Sequence, residues 1–307
     1  MPPGAREQRW RAPDGHEIRQ LDGAEPAASP RGNLLFLTGR GDFYEKYLES
    51  FDHWRRQGWR VTAIDWRGQA GSGRLGADAV TGHVDDFATW TADLAAFWRH
   101  WAAGRSGPLV LVGHSMGGHL ALRAAAEGAL APAPAALVLS APMLDVLPER
   151  VPLALRRLAA NAMCALGDVR RPAWKWSERP GEVPAFRQKL LTHDDARYAD
   201  ELAWRAQRPE LAMGPGSWGW VRQSLASIYW LARRGLLESV TLPIFLFATT
   251  ADRLVGVQAI RRAEARLPLV QSLWFGGEAA HEILREVDAV RDRALAAIDA
   301  FLESVTA

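Results

Sequence analysis

The chain has 307 residues, 48% of them hydrophobic and 23% charged, which is ordinary for a soluble globular protein and long enough for one large α/β domain or a domain with an insertion. A formal charge of +2 with dispersed basic residues excludes a nucleic-acid groove. The single cysteine, Cys164, excludes an internal disulfide and a cysteine-built metal cage, and fits a reducing compartment.

The first ten residues hold no apolar core of signal-peptide length, and no window approaches the ~18 uninterrupted apolar residues of a spanning helix. A cytoplasmic protein is therefore expected. In chain order, residues 8–22 carry the turn signal Pro13-Asp14-Gly15 between segments that can pair as a hairpin, and 24–32 reads as a loop. Residues 33–38 form a buried-strand run, broken by Thr38-Gly39-Arg40-Gly41 ahead of a helix over about 44–57. The next strand, 60–64, runs into the polar loop Asp65-Trp66-Arg67-Gly68-Gln69. Val84, Phe87, Leu94, Trp98 and Trp101 then recur at helical spacing, with Asp85 and Asp86 expected in the first turn, where the helix dipole favours acids.

Leu109-Val110-Leu111-Val112 is an apolar run too short for a helix, and it ends at Gly113-His114-Ser115-Met116-Gly117. An Ala-rich helical pattern follows from Met116 to about Leu130. Strand, sharp turn and helix in that order are the setting of a nucleophilic serine. The turn strains the backbone at Ser115 and lifts its hydroxyl above the sheet, so its neighbours must be small, and Gly113 and Gly117 supply that room. The same geometry aims the Met116 backbone N–H toward the point where an oxyanion would form. A serine hydroxyl is a poor nucleophile at neutral pH, so an acid and then a histidine are required further along.

Residues 136–139 form another strand, so the order to this point is that of a mainly parallel sheet with helices on both faces. The rhythm then stops for about 100 residues. The segment 146–240 reads as helical but is broken by seven prolines, and an inserted cap is the economical interpretation, with 1–145 and 241–307 forming the core. That cap holds Trp174, Trp176, Trp204, Trp218, Trp220 and Trp230, and carries 15 basic against 10 acidic residues. Trp and Arg together suit contact with an amphiphile at a lipid–water boundary, although the same rings could simply fill the cap's own core.

A strand over 243–249 restores the alternation, followed by a helix over 257–266, a strand over 269–275 and a last helix from about 282 to 303. Asp252 lies just past the carboxyl end of the first of these strands, on the sheet edge where sites of open α/β sheets form. Asp145 is the competing acid, but only Asp252 follows the insertion. His281 lies in the loop after the last strand, where an imidazole can reach back to Ser115. Of its rivals, His114 is expected to face away from the nucleophile, His119 lies in the following helix, and His53, His83, His100 and His193 precede Asp252. Ser115, Asp252 and His281 thus form the candidate triad.

On these residues the chain resembles an α/β-hydrolase of the monoglyceride lipase and bacterial lysophospholipase group. Gly113-His114-Ser115-Met116-Gly117-Gly118 is similar to the nucleophile elbow of that group, Asp65-Trp66-Arg67-Gly68-Gln69 to its Asp-x-Arg-Gly loop, and Asp252 with His281-Glu282 to its acid and base segments. Within the cap, Leu191-Thr192-His193-Asp194, Pro209-Glu210-Leu211-Ala212 and Gly219-Trp220 resemble the bacterial lysophospholipases more than the animal enzymes. Relatives often read His-Gly-x-Gly where this chain has Thr38-Gly39-Arg40-Gly41. The resemblance aligns Arg40 with the second oxyanion donor, and because that donor is a backbone N–H, Thr for His need not remove it.

The expected activity is hydrolysis of the carboxylic ester of a lysophospholipid or monoacylglycerol, with no metal or organic cofactor. The expected partner is a small amphiphilic ester, with peripheral membrane contact through the cap, and no nucleic acid. The same three residues would serve a hydrolase of small soluble esters or thioesters, or an aminopeptidase-like enzyme. A non-catalytic binding module would be expected to lack a triad member, and none is missing. Acyl length, headgroup and oligomeric state are not set by the sequence.

Overall fold

The computed structural model describes residues 2–175 and 185–306. The amino-terminal hairpin is β1 (Arg6–Arg11) and β2 (Glu17–Asp22), followed by β3 (Gly32–Leu37), α1 (Leu48–Arg56), β4 (Trp59–Ile64) and α2 (Phe87–Ala102). Next come β5 (Leu109–His114), α3 (Met116–Ala126) and β6 (Ala136–Ser140). Four helices then intervene: α4 (Leu153–Ala165), α5 (Ala185–Leu191), α6 (Asp195–Gln207) and α7 (Trp218–Leu231). The chain closes with β7 (Ile244–Thr249), α8 (Val257–Glu264), β8 (Val270–Phe275) and α9 (Asp288–Thr306).

The strands form one sheet in the order β1-β2-β4-β3-β5-β6-β7-β8, parallel from β4 through β8, with the hairpin antiparallel at one edge. The central strands read as unbroken apolar runs because both faces are covered. In β3, Leu35 and Leu37 face a core shared with α2, α3 and α8, whereas Leu34 and Phe36 face one shared with α1 and α9. Strand β5 divides the same way, with Leu111 on one side and Val110 and Val112 on the other.

Four boundaries differ from the sequence reading, each for a local reason. The stretch expected as a helix from residue 44 begins with a 3-10 turn, Tyr44–Tyr47, before α1. Helix α2 starts at Phe87: Asp86 caps it by accepting the Ala88 N–H at 2.8 Å, while Asp85 lies outside the helix on His83. Helix α3 stops at Ala126, shortly before Gly128 adopts a left-handed φ of 65°. The last helix begins at Asp288, because Ile283–Arg285 form a 3-10 turn and Glu286 is extended. That turn directs Glu282 and Arg285 into a buried cluster of charges.

Glu201 of α6 is the hub of that cluster. Its side chain is fully buried and lies 3.2 Å from Lys46, 2.8 Å from Arg187, 2.8 Å from Arg205 and 2.9 Å from Arg285. Lys46 and Arg285 both pair with Glu282 as well. Buried charges persist only when paired, so removing the central carboxylate leaves several cations with reduced compensation. Glu201→Ala should therefore cost about 3–5 kcal/mol, read as a lowered urea midpoint, and a change below about 1 kcal/mol would show that α6 is held by other means.

Candidate active site

The bend between β5 and α3 places Ser115 at φ 52° and ψ −116°, a conformation that L-residues rarely adopt. Its amide donates to the Ser140 carbonyl at 2.9 Å, and its carbonyl accepts from Met143 at 2.9 Å and His119 at 3.0 Å. Gly117 is required by space: a Cβ there would lie 2.5 Å from the carbonyl oxygens of both Leu37 and Thr38. At Gly113 a Cβ would meet the Gly118 Cα at 2.7 Å. Met116 is the first residue of α3, directly behind the bend.

The loop after β7 presents Asp252, whose Oδ2 lies 2.7 Å from Nδ1 of His281. Its Oδ1 accepts the Leu254 and Val255 amides at 2.8 and 3.1 Å, which fixes the carboxylate's orientation. The rival acid, Asp145, is engaged instead by Arg156 through two 2.8 Å contacts. His281 is anchored by the end of α5: its amide donates to the Leu190 carbonyl at 3.2 Å, and the Glu282 amide donates to the Leu191 carbonyl at 2.8 Å.

Electrostatics separates the two histidines that meet here. Burial disfavours the charged form of His281, but the Asp252 carboxylate outweighs it, aided by Glu282 and Asp42, and the pKa rises above the usual histidine value. Burial likewise works against ionisation of Asp252, yet His281 and the two backbone amides hold its pKa below the ordinary carboxylate value. His114 is pushed down to about 4 by burial and by the nearby His281, whose ring centroid is 4.8 Å away. It therefore stays neutral at physiological pH. His114 does not turn away as the sequence suggested, since it lines the same cavity as Ser115 and His281.

That cavity, of about 670 Å³, runs under α7 and past the Thr38–Gly41 loop. The loop approaches the serine closely, and a Cβ on Gly39 would stand 3.2 Å from the Ser115 Cβ. Asp42 accepts the Gly39 N–H at 3.1 Å, and Gln69 accepts the Gly41 N–H at 2.7 Å. Trp66 donates its indole N–H to the Thr38 carbonyl at 2.8 Å. Arg40 reaches the other way: its guanidinium lies 5.0 Å from the ring centroids of both Trp174 and Trp220 and donates to the Gly214 carbonyl at 2.7 Å.

Sequence reasoning did not single out Asp42, Gln69, Lys46 or Glu201. Gln69 and Trp66 belong to the Asp65–Gln69 loop that was noticed, so that motif was the available signal. Of the partners of Lys46, Asp42 is four residues away, but Glu201 and Glu282 lie more than 150 and 230 residues away and left no local signal. Among the described residues, no group of His, Cys, Asp or Glu is arranged to hold a metal ion, and no helix is long and apolar enough to cross a membrane.

Comparison with known proteins places this geometry in context. Residues 28–288 match the Hydrolase_4 family, described as serine aminopeptidase, S33. The chain is 34% identical over 276 residues to lysophospholipase L2 of Escherichia coli K12, covering 86% of this chain and 78% of that protein. In fold it is similar to a soluble variant of monoglyceride lipase from Saccharomyces cerevisiae, with a TM-score of 0.79, 18% identity, and coverage of 100% of this chain and 97% of that one. A carboxyl esterase from Bacillus coagulans superposes with a TM-score of 0.74 at 18% identity, over 99% of each chain. The eight-stranded sheet, the match across most of the chain and the identity to the bacterial enzyme establish that this chain belongs to the Hydrolase_4 family of α/β-hydrolases.

Proposed function

We propose that the protein is a serine hydrolase that cleaves the carboxylic ester of a lysophospholipid or monoacylglycerol through an acyl-enzyme. The observation that carries this reading is the Asp252–His281 pair, whose imidazole shares with the strained Ser115 a cavity walled largely by apolar side chains such as Met143, Leu147, Leu191, Trp218 and Trp220. The names of the bacterial lysophospholipase and the yeast monoglyceride lipase support the same substrate class.

In this mechanism His281 Nε2 takes the proton from the Ser115 hydroxyl as its oxygen attacks the ester carbonyl. Asp252 holds the imidazole tautomer and stabilises the imidazolium. The backbone amides of Met116 and Arg40 receive the oxyanion, with Gly113 and Gly117 giving the elbow its room. The tetrahedral species collapses as the protonated His281 delivers its proton to the leaving alcohol. Water, deprotonated by His281, then attacks the acyl-serine, and the fatty acid leaves as Ser115 regains its proton. No step calls for a metal or an organic cofactor.

Residues 146–240 act as the cap over this cavity, on a core of 1–145 and 241–307. Of the ten large apolar side chains exposed among the described residues, eight lie in that segment. They are mostly not the tryptophans the sequence pointed to. Trp220 is buried and Trp204, Trp218 and Trp230 are half-buried, whereas Trp174 is 44% exposed and Trp176 lies outside the described residues. Leu155, Leu158 and Leu166, together with Leu147, Trp174 and Phe186, form the apolar surface, and exposed Arg150, Arg170 and Lys175 accompany it. Leucines beside cations suit a peripheral lipid surface, from which an amphiphile would enter the cavity.

An aminopeptidase would need an unengaged acid for the substrate's amine. The two carboxylates lining the cavity, Asp42 and Glu282, both pair with Lys46, and this favours the ester.

Product release from lysophosphatidylcholine, monoolein and p-nitrophenyl butyrate, measured side by side, should show turnover of at least one long-chain lipid, and Ser115→Ala should lower it by about 10³-fold or more. Turnover of the butyrate alone would defeat the lipid assignment. His281 must be neutral to accept a proton, and its pKa is raised, so kcat/KM should climb with pH to a midpoint above 6.5. Asp252→Asn removes the group that raises it. The residual activity should have its acid limb displaced to lower pH, and an unmoved limb would mean that another group titrates.

A further inference from the structure

The lipid-ester reading leaves the headgroup open, and the charges around the cavity bear on it. Four cationic side chains line it, Arg40, Lys46, Arg187 and Arg253, against two carboxylates, Asp42 and Glu282. Three of the cations are tied into the fold. Arg40 is held between Trp174 and Trp220 and on the Gly214 carbonyl. Lys46 pairs with Asp42, Glu201 and Glu282, which also occupies both lining carboxylates. Arg187 pairs with Glu201.

Arg253 is placed differently. It follows Asp252 directly in the chain, its side chain is exposed, and it lines the cavity that holds Ser115 and His281. Among the described residues no carboxylate stands within ion-pair distance of it, and its guanidinium meets the exposed Phe186 ring, 5.7 Å from the centroid. The cavity thus presents a cation that no carboxylate of the described residues neutralises.

A lysophospholipid bound with its ester at Ser115 carries a phosphate only a few bonds beyond the scissile oxygen. A monoacylglycerol carries a neutral hydroxyl there. We propose that Arg253 forms a phosphate-binding subsite for the headgroup, so that the enzyme selects phosphorylated over neutral glycerol esters. The inference rests on the lipid-ester reading above. A guanidinium matches two phosphate oxygens at once, and such charge-assisted contacts are stronger than those a hydroxyl could make. Selectivity is the difference between the two substrates, and Arg253 contributes to one of them. The Phe186 ring flanks the guanidinium.

The test uses the full chain and two monomeric substrates with the same acyl group, octanoyl-glycerol and octanoyl-lysophosphatidylglycerol, so that surface binding does not enter. In the wild type kcat/KM should favour the phosphorylated ester. Arg253→Gln should cut that preference by about tenfold, mainly through KM, and Arg253→Lys should restore part of it. Added salt should compress the wild-type preference toward that of Arg253→Gln. Competitive inhibition by glycerol 3-phosphate that weakens in Arg253→Gln would support a subsite open to free phosphates, and a shifted preference without such inhibition would support one that needs the acyl chain. A preference that Arg253→Gln leaves unchanged, with both lipids cleaved, overturns this inference alone. Failure of the wild type to cleave either lipid while it cleaves p-nitrophenyl butyrate overturns the lipid-ester reading, and this inference with it.

Discussion

The strained bend at Ser115 is the constraint on which the rest of the site depends. A left-handed φ at a non-glycine residue persists only where its surroundings over-determine it, and here three backbone bonds converge on that one residue. Two of them fasten it to Ser140 and Met143, at and beyond the end of β6, so the bend is locked to the neighbouring strand as well as to its own helix. The carbonyls of Leu37 and Thr38 press against α3 at Gly117, which sets how near the Thr38–Gly41 loop can come. Packing of β3, β5 and β6 therefore sets the position of Ser115, the proposed nucleophile, before Asp252 or His281 is considered.

The proposed base, His281, is held by a different device. His281 lies on a loop after β8, and its main chain hangs from the end of α5, while the next residue, Glu282, enters the buried charge cluster. Lys46 joins that cluster to Asp42, and Asp42 in turn holds the Gly39 amide beside Ser115. One ammonium thus connects the His281 loop, helix α6 and the glycine loop. Such a network is not an economical source of stability, because each charge is desolvated on burial. Its value is geometric, since three segments distant in sequence must agree on one set of distances before the charges are satisfied.

These two devices explain what was and was not legible in the sequence. The alternation of strand and helix, the elbow at Gly113–Gly117, and the positions of Asp252 and His281 each leave a local signature: an apolar run, a small-residue turn, a polar residue just past a strand. In the structure Asp252 lies against His281 and Asp145 against Arg156. What stayed hidden is non-local. Lys46 reads as one more solvated lysine until Glu201 and Glu282 arrive from far along the chain. The helix boundaries at 87 and 288 moved because side chains there serve caps and ion pairs, which compete with helix propensity. The tryptophans misled in part, since an aromatic ring in a cap fits a buried contact as well as a wet one.

The departure at Thr38 follows from the same reasoning. If the glycine loop depended on the side chain at residue 38, replacing histidine by threonine would loosen it. Yet the Thr38 hydroxyl is buried without a hydrogen-bond partner among the described residues, so it does not hold the loop. The loop is fastened at other points, by Trp66 on the Thr38 carbonyl, by Asp42 on the Gly39 amide and by Gln69 on the Gly41 amide. Arg40 adds a fourth through its side chain, clasped by Trp174 and Trp220. With the amides on either side engaged, the Arg40 peptide has little freedom to turn. The loop is thus held by Asp42 at its own end, by Trp66 and Gln69 from the segment after β4, and by Trp174 and Trp220 on the Arg40 side chain.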